Sequence, residues 1–287
     1  MYTWLETIEW YLAGRDVCAQ YAKEIRHRAG ALEMAAGRVL GIDDVTDELV
    51  NWFLMQMQSE GKHYDKTVKG YRDAMQCVRQ AAWEHGLTDV RPGRVRRIKV
   101  RRKLPSAWTI EEVRMLVKAA EKLPGKVAGI DVGRSLWFSA YVHLLWCTGL
   151  RVGDVLTIEW SAVFQRTKND AAVYLVQSKQ NHPVLCGLSA RAVRLATDIR
   201  NRTDSPLVLP WPGARCILDR WFRRLVKRSG IRPGGTRWIR RGAASKVEQE
   251  QPGMASKFLG HLTPGLAAKH YLDPSITNQR PIRPPEL

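Results

Sequence analysis

Apolar residues recur at helical spacing through the first ninety positions: Trp4, Ile8, Tyr11 and Leu12, then Cys18, Tyr21 and Ile25, then Leu49, Trp52, Phe53 and Met57. Residues that return every three or four positions share one helix face. The stretch therefore predicts an all-helical domain over 1–90, with its aromatic residues in the core. A further helix over Tyr64–His85 places Tyr71, Met75, Val78, Ala82 and Trp83 near one face, and Gly86 suits its C-cap. Lys62, Lys66, Lys69, Arg72 and Arg79 fall along the same region, either as a solvated surface or as a phosphate-facing side.

A second pattern begins near Ser106. Thr109 stands three residues before Glu112, the arrangement in which each side chain caps the other's backbone N–H at a helix start. Val113, Leu116, Val117 and Ala120 continue that helix, and Pro124-Gly125 stops it. Leu136–Cys147 is apolar nearly throughout and predicts a core helix. Ala171–Gln177 and Pro183–Leu188 read as two strands of a hairpin, with Lys179 near its tip. Ser189 caps a helix over Ala190–Asn201. Farther on, Trp221, Phe222, Leu225 and Val226 supply an apolar face that leaves Arg220, Arg223, Arg224, Lys227 and Arg228 outside. The expected fold is mainly α: a helical domain over 1–90, a linker over 91–106, and an α-rich domain over 107–287 with a small antiparallel sheet.

Charge changes this picture from fold to partner. The chain of 287 residues carries a formal net charge of +18, which calls for a polyanion, nucleic acid first. Eight of the thirteen residues from 91 to 103 are basic and none is acidic. A block of like charge does not pack on itself, so this segment is expected to be an extended strap, unfolded until an anion arrives. Arg94, Arg96, Arg97, Lys99, Arg101 and Arg102 are its candidate phosphate contacts, joined by Arg220, Arg223, Arg224 and Arg241 farther along. The longest apolar run, Leu136–Trp146, is about half the span a bilayer needs, and the acidic amino terminus is unlike a signal peptide. The five cysteines lack any Cys-x-x-Cys spacing and read as buried, reduced thiols of a cytoplasmic protein. No cofactor or metal is expected, because the seven histidines form no ligand pattern.

Candidate chemistry lies in scattered motifs. Thr148–Asp154 (TGLRVGD) puts Arg151 just after the apolar helix and a glycine. Arg237, Arg240 and Arg241 stand three and four residues apart, on one face of a helix. Leu259-Gly260-His261 and His270-Tyr271 close the series. Guanidinium groups hold phosphate by bidentate hydrogen bonds, and a phenol oxygen can attack it. Each motif alone is common. In this order and spacing they resemble the tyrosine recombinase (phage integrase) family over about residues 107–275, and the first domain is similar by position to that family's core-binding domain.

The resemblance implies two domains that clamp duplex DNA. It implies a site-specific recombinase or integrase acting through a 3′-phosphotyrosine, without metal or ATP, as a tetramer on paired sites. Arg151 and Arg240 would hold the non-bridging oxygens of the scissile phosphate, and Tyr271 would be the nucleophile. Lys179 would protonate the departing 5′ oxygen, His261 would hydrogen-bond the phosphate or orient the tyrosine, and Asp154 would brace Arg151. An unperturbed tyrosine titrates near pH ~10, so the neighbouring cations must favour its ionised form. The family's usual histidine three residues before the second arginine is replaced by Arg237, which can donate to phosphate but cannot accept a proton at neutral pH. Arg237 keeps open a weakened relative that only binds DNA, and the shared chemistry keeps open a type IB topoisomerase-like activity. The sequence is also expected to lack an arm-binding domain, and its proline-rich tail, with only Ser275–Gln279 free to turn helically, to lack a long donated helix.

Overall fold

The computed structural model describes residues 2–101, 104–167, 170–178, 181–263 and 265–277. It divides into two compact units, Met1–Lys103 and Leu104–Leu287.

Unit 1 contains helices α1 (Trp4–Ala13), α2 (Ala19–Ala36), α3 (Asp47–Ser59) and α4 (Asp65–Glu84). Their apolar stripes meet in one core, where Trp4, Leu32, Val50, Leu54, Met75 and Val78 are inaccessible to solvent. The Trp4 indole donates to the Ala29 carbonyl at 2.8 Å, so the largest buried ring of α1 also satisfies its one polar group on α2. Arg79 is buried, not phosphate-facing: it donates to Asp47 at 2.7 Å and to Gln76 at 2.6 Å.

The basic segment departs from the free strap expected of it. Residues 91–101 form no helix or strand, yet Val95 and Ile98 are buried in the core of unit 1. Arg72 donates to the Arg96 carbonyl at 3.0 Å, and the Arg96 N–H donates to Asn51 at 2.7 Å. Gly93 passes so close to α3 that a Cβ there would lie 2.2 Å from an Asp47 carboxylate oxygen. The segment packs despite its like charges because Val95 and Ile98, three residues apart, turn inward. Arg94, Arg96, Arg97, Lys99 and Arg101 remain exposed on the outside, and Arg102 lies outside the described residues.

Unit 2 is built around α6 (Arg134–Thr148), which packs against α5 (Ile110–Glu121), α8 (Ala190–Arg200) and α10 (Thr236–Glu250). Helix α6 buries residues on all sides, including Trp137, Phe138 and Tyr141. The capping box at Thr109 is present: the hydroxyl accepts from Glu112 N–H at 3.3 Å, and Glu112 accepts from Thr109 N–H at 2.9 Å. Three short helices, α7 (Val152–Leu156), α11 (Ala255–Phe258) and α12 (Leu266–His270), carry the turns discussed below, and α9 (Arg215–Ser229) packs on α5. A last short helix, α13 (Pro274–Thr277), packs on α10.

The sheet has order β1-β2-β3, all antiparallel, with β1 at Val163–Thr167, β2 at Asp170–Gln177 and β3 at His182–Leu188. Strand β1 was not expected; it is an edge strand held by β2, in register at Val163↔Val173. The inward face of β2 runs Ala171, Val173, Leu175, Gln177. The cysteines also differ from expectation: Cys18, Cys77 and Cys216 are exposed, Cys147 is half-buried, and only Cys186 is buried. Among the described residues no helix is long and apolar enough to cross a membrane, and no group of three or more His, Cys, Asp or Glu could hold a metal ion.

Candidate active site

Arg240 is the centre of the site. It lies on the inward face of α10 among Ile239, Ala243 and Ala244, and is only 3% exposed. The two arginines beside it do not share that face: Arg237 is exposed on the first turn, and Arg241 is half-buried and donates to the Ser106 carbonyl at 3.3 Å. The expected triplet therefore splits into three environments, because one helix turn carries these side chains from solvent to core. Arg240 donates through Nη1 to the Gly149 carbonyl and through Nη2 to the Leu259 carbonyl at 3.1 Å. Burial draws its pKa down to about 10, with Arg151 acting in the same direction and Tyr271 opposing it. It stays a cation at neutral pH, and its Nε hydrogen has no acceptor among the described residues.

Both carbonyls that hold Arg240 are presented by glycine turns. Gly149 ends α6 in the left-handed region at φ 59°, and a Cβ there would lie 2.3 Å from the Phe258 ring. Gly260 follows Leu259 at φ 64°, where a Cβ would lie 2.4 Å from Val184. Only glycine meets both the torsion and the space.

Arg151 is the N-cap of α7 and is half-buried. Its Nη1 donates to Gln177 Oε1 at 2.8 Å, and Gln177 Nε2 donates to the same Leu259 carbonyl at 3.1 Å. Asp154 is buried one turn farther along, and its Oδ1 accepts from both N–H (3.1 Å) and Oγ (2.7 Å) of Ser178. In this structure the acidic residue expected to brace Arg151 thus fixes the residue that begins the hairpin turn. Lys179, the expected general acid, comes next in the chain and lies outside the described residues.

His261 and Tyr271 complete the cluster. Their ring centroids are 4.7 Å apart, and the Arg240 guanidinium lies 5.2 Å from the Tyr271 ring centroid. Among the described residues neither ring nitrogen of His261 has a hydrogen-bond partner. Burial, followed by the charges of Arg240, Arg151 and His270, lowers its pKa to about 4, so it is neutral at pH 7. Tyr271 sits just past α12, half-buried, while the next residues Leu272 and Asp273 are buried. The Asp273 carboxylate accepts from Ala107 N–H at 2.8 Å and from Ser275 at 2.7 Å, and Asp273 N–H donates to Ser245 Oγ at 2.9 Å. Two buried anchors thus hold the tyrosine's segment against α10.

No protein-family model matches the chain. The tyrosine recombinase XerD of Rhizobium meliloti (strain 1021) is 25% identical over 205 residues, covering 68% of this chain and 64% of that protein. The chain thus spans somewhat less than two thirds of the curated relative it matches. Among solved structures, a lambda integrase (75-356) dimer bound to a COC' core site superposes with TM-score 0.75 at 20% identity, over 99% of this chain and 98% of that one. The Tn1549 transposon integrase (aa 82-397) in complex with circular intermediate DNA gives 0.65 at 14% identity, over 97% and 98%. XerH bound to difH substrate, in a pre-cleavage complex, gives 0.66 at 13% identity, over 90% and 78%.

The chain has the tyrosine recombinase fold. In that fold, four of the six expected site residues, Arg151, Arg240, His261 and Tyr271, come together here from four separate parts of unit 2. Arg237 is exposed on the first turn of the cluster's helix. Gln177, Ser178 and Asp273 were not anticipated. The first had a signal in the sequence: the period of two that buries Ala171 and Val173 also turns a glutamine inward, and a buried amide needs partners. Of the other expected cations, Arg220, Arg223 and Arg224 are exposed on α9. Arg224 lies 5.1 Å from the Trp221 ring centroid, and Arg223 donates to the Asp219 carbonyl at 3.3 Å.

Proposed function

We propose that the chain is a tyrosine-type site-specific recombinase that breaks and rejoins duplex DNA. The observation that carries this reading is the convergence of Arg240, Arg151 and His261 on Tyr271. A phosphodiester held by the two guanidinium groups would have both non-bridging oxygens hydrogen-bonded where charge accumulates in the five-coordinate transition state. The Tyr271 oxygen attacks phosphorus, the bond to the 5′ oxygen breaks, and a 3′-phosphotyrosyl ester forms. Lys179 supplies the proton that the 5′ oxygen needs as it leaves. Attack of a 5′ hydroxyl on the ester reverses the step and releases the tyrosine, so bond energy is conserved and no ATP is consumed. Neutral His261 can donate to the phosphate or take the phenol proton. Arg237, standing where the family's histidine usually does, can only donate.

The partner in this reading is double-stranded DNA in the cytoplasm, at the nucleoid. Unit 1 is the core-binding domain, unit 2 is catalytic, and together they clamp the duplex. Arg94, Arg96, Arg97, Lys99, Arg101, Arg102, Arg220, Arg223, Arg224 and Arg241 neutralise its backbone, and a tetramer forms on paired sites. The test is covalent capture on a pool of randomised duplexes nicked so that the released fragment diffuses away. Wild type should give an adduct stable to denaturant, and Tyr271→Phe should give none while binding DNA equally well. Absence of any adduct from wild type that still binds the pool would leave a DNA-binding relative. Relaxation of supercoiled plasmids irrespective of sequence would favour a topoisomerase.

A further inference from the structure

Gln177 occupies a position that the reaction just described does not use. It is 1% exposed, on the inward face of β2, and both ends of its amide are engaged. Oε1 accepts from Arg151 Nη1 at 2.8 Å, and Nε2 donates to the Leu259 carbonyl at 3.1 Å. The orientation follows from chemistry, since a guanidinium only donates and a carbonyl only accepts. That carbonyl also receives Arg240 Nη2 at 3.1 Å. One side chain and one shared acceptor thus link the two arginines. Gly260 leaves room for the bridge, because a Cβ at that position would lie 2.9 Å from Gln177 Nε2. Ser178, the next residue, is fastened to Asp154, so the amide is tethered at the end of its strand.

We propose that Gln177 is a positioning residue for phosphoryl transfer, setting the separation and tilt of the Arg151 and Arg240 guanidinium groups so that each meets a different non-bridging oxygen. Like charges held this close repel, and both are partly desolvated, where repulsion is strong. A neutral amide with one acceptor and one donor holds them without adding charge that would compete with the phosphate. A carboxylate there would neutralise Arg151 and face the Leu259 carbonyl acceptor to acceptor. An apolar side chain would take one hydrogen bond from Arg151 and one donor from the Leu259 carbonyl. Because Gln177 does not touch the phosphate in this scheme, its effect is on geometry, and geometry of this kind is read through stereochemistry.

The inference rests on the recombinase reading, and the experiment separates the two. Single-turnover adduct formation is measured on the nicked duplex that wild type cleaves, with an ordinary phosphate or with an Rp or Sp phosphorothioate at the cleaved position. Gln177→Met, close in volume, should slow adduct formation on the order of 10- to 100-fold, with DNA binding kept, and should shift the ratio of Rp to Sp rates. Gln177→Glu keeps the acceptor toward Arg151 but adds a competing charge and loses the donor to Leu259, so it too should slow the step and shift the ratio. Equal rates for wild type and both variants, or equal slowing on all three linkages with an unchanged ratio, would overturn the positioning role alone. If wild type forms no adduct on any duplex, the recombinase reading fails and the role falls with it. A further readout uses wild type only: the Nε2 hydrogens of Gln177 should exchange with solvent far more slowly than those of an exposed glutamine. Exchange at the exposed rate would overturn the bridge even if both variants failed to fold.

Discussion

Arg94, Arg96 and Arg97 of unit 1 and Arg240 of unit 2 carry the same guanidinium, yet the chain treats them in opposite ways. In unit 1 the backbone is anchored by Val95 and Ile98, and the cations point outward. In unit 2 the cation itself is taken inside, between two carbonyls, and burial lowers its pKa to about 10. Outward cations are hydrated and interchangeable; they offer affinity for any polyanion and lose it to salt. An inward cation is costly to bury and is held in one geometry, so it serves transition-state charge better than ground-state grip. The difference teaches that net charge alone says little about how each arginine is placed.

The largest expected effect lies on the inward side. Arg240→Ala should reduce adduct formation by about 10²- to 10³-fold while DNA binding to the randomised pool changes little. A parallel fall in binding would mean that Arg240 belongs with the outward group. On the other side, Arg94, Arg96 and Arg97 neutralised together to Gln should leave the thermal midpoint and the chemical step on bound DNA nearly unchanged. The slope of log K against log salt should flatten by about 0.9 for each phosphate no longer neutralised, measured by titration at several salt concentrations. An unchanged slope would remove the segment from the interface.

The smallest effect concerns His261. Its depressed pKa means that the folded chain refuses a proton that the unfolded chain accepts. Its contribution to stability is therefore full above pH ~6.5, declines as pH falls, and is lost once pH passes about 4. A bound phosphodiester would oppose the depression, so binding near pH ~5.5, between those two values, should take up part of a proton. Calorimetry in buffers of different ionisation heat measures this uptake. His261→Gln should abolish it; an undiminished uptake would assign the proton elsewhere.

What was legible in the sequence was what is local. The Thr109–Glu112 cap, the stripe of α4 and the hairpin of β2 and β3 each follow from spacing within a few residues. Strand β1 was not legible, because its strand character comes from pairing with β2. The motifs around Arg151, Arg240, His261 and Tyr271 could be read as a series, and the structure brings those four side chains together. The role of Gln177 could not, since its second partner, Leu259, stands 82 residues away. The buried anchors of the basic segment were hidden for a simpler reason: eight charges draw the eye from two apolar side chains.

The bond between Ala107 and Asp273 has a consequence for how the molecule is made. Its partners stand 166 positions apart, so the first residues of unit 2 wait unpaired through nearly all of that unit's synthesis. Unit 1 can close on the ribosome while unit 2 is still arriving. Asp273 joins the second unit late in synthesis, and fastening it to Ala107 and Ser245 also holds Tyr271 in place. A chain cut short before Asp273 would lack both of its bonds, and with them the tether that holds Tyr271 beside Arg240.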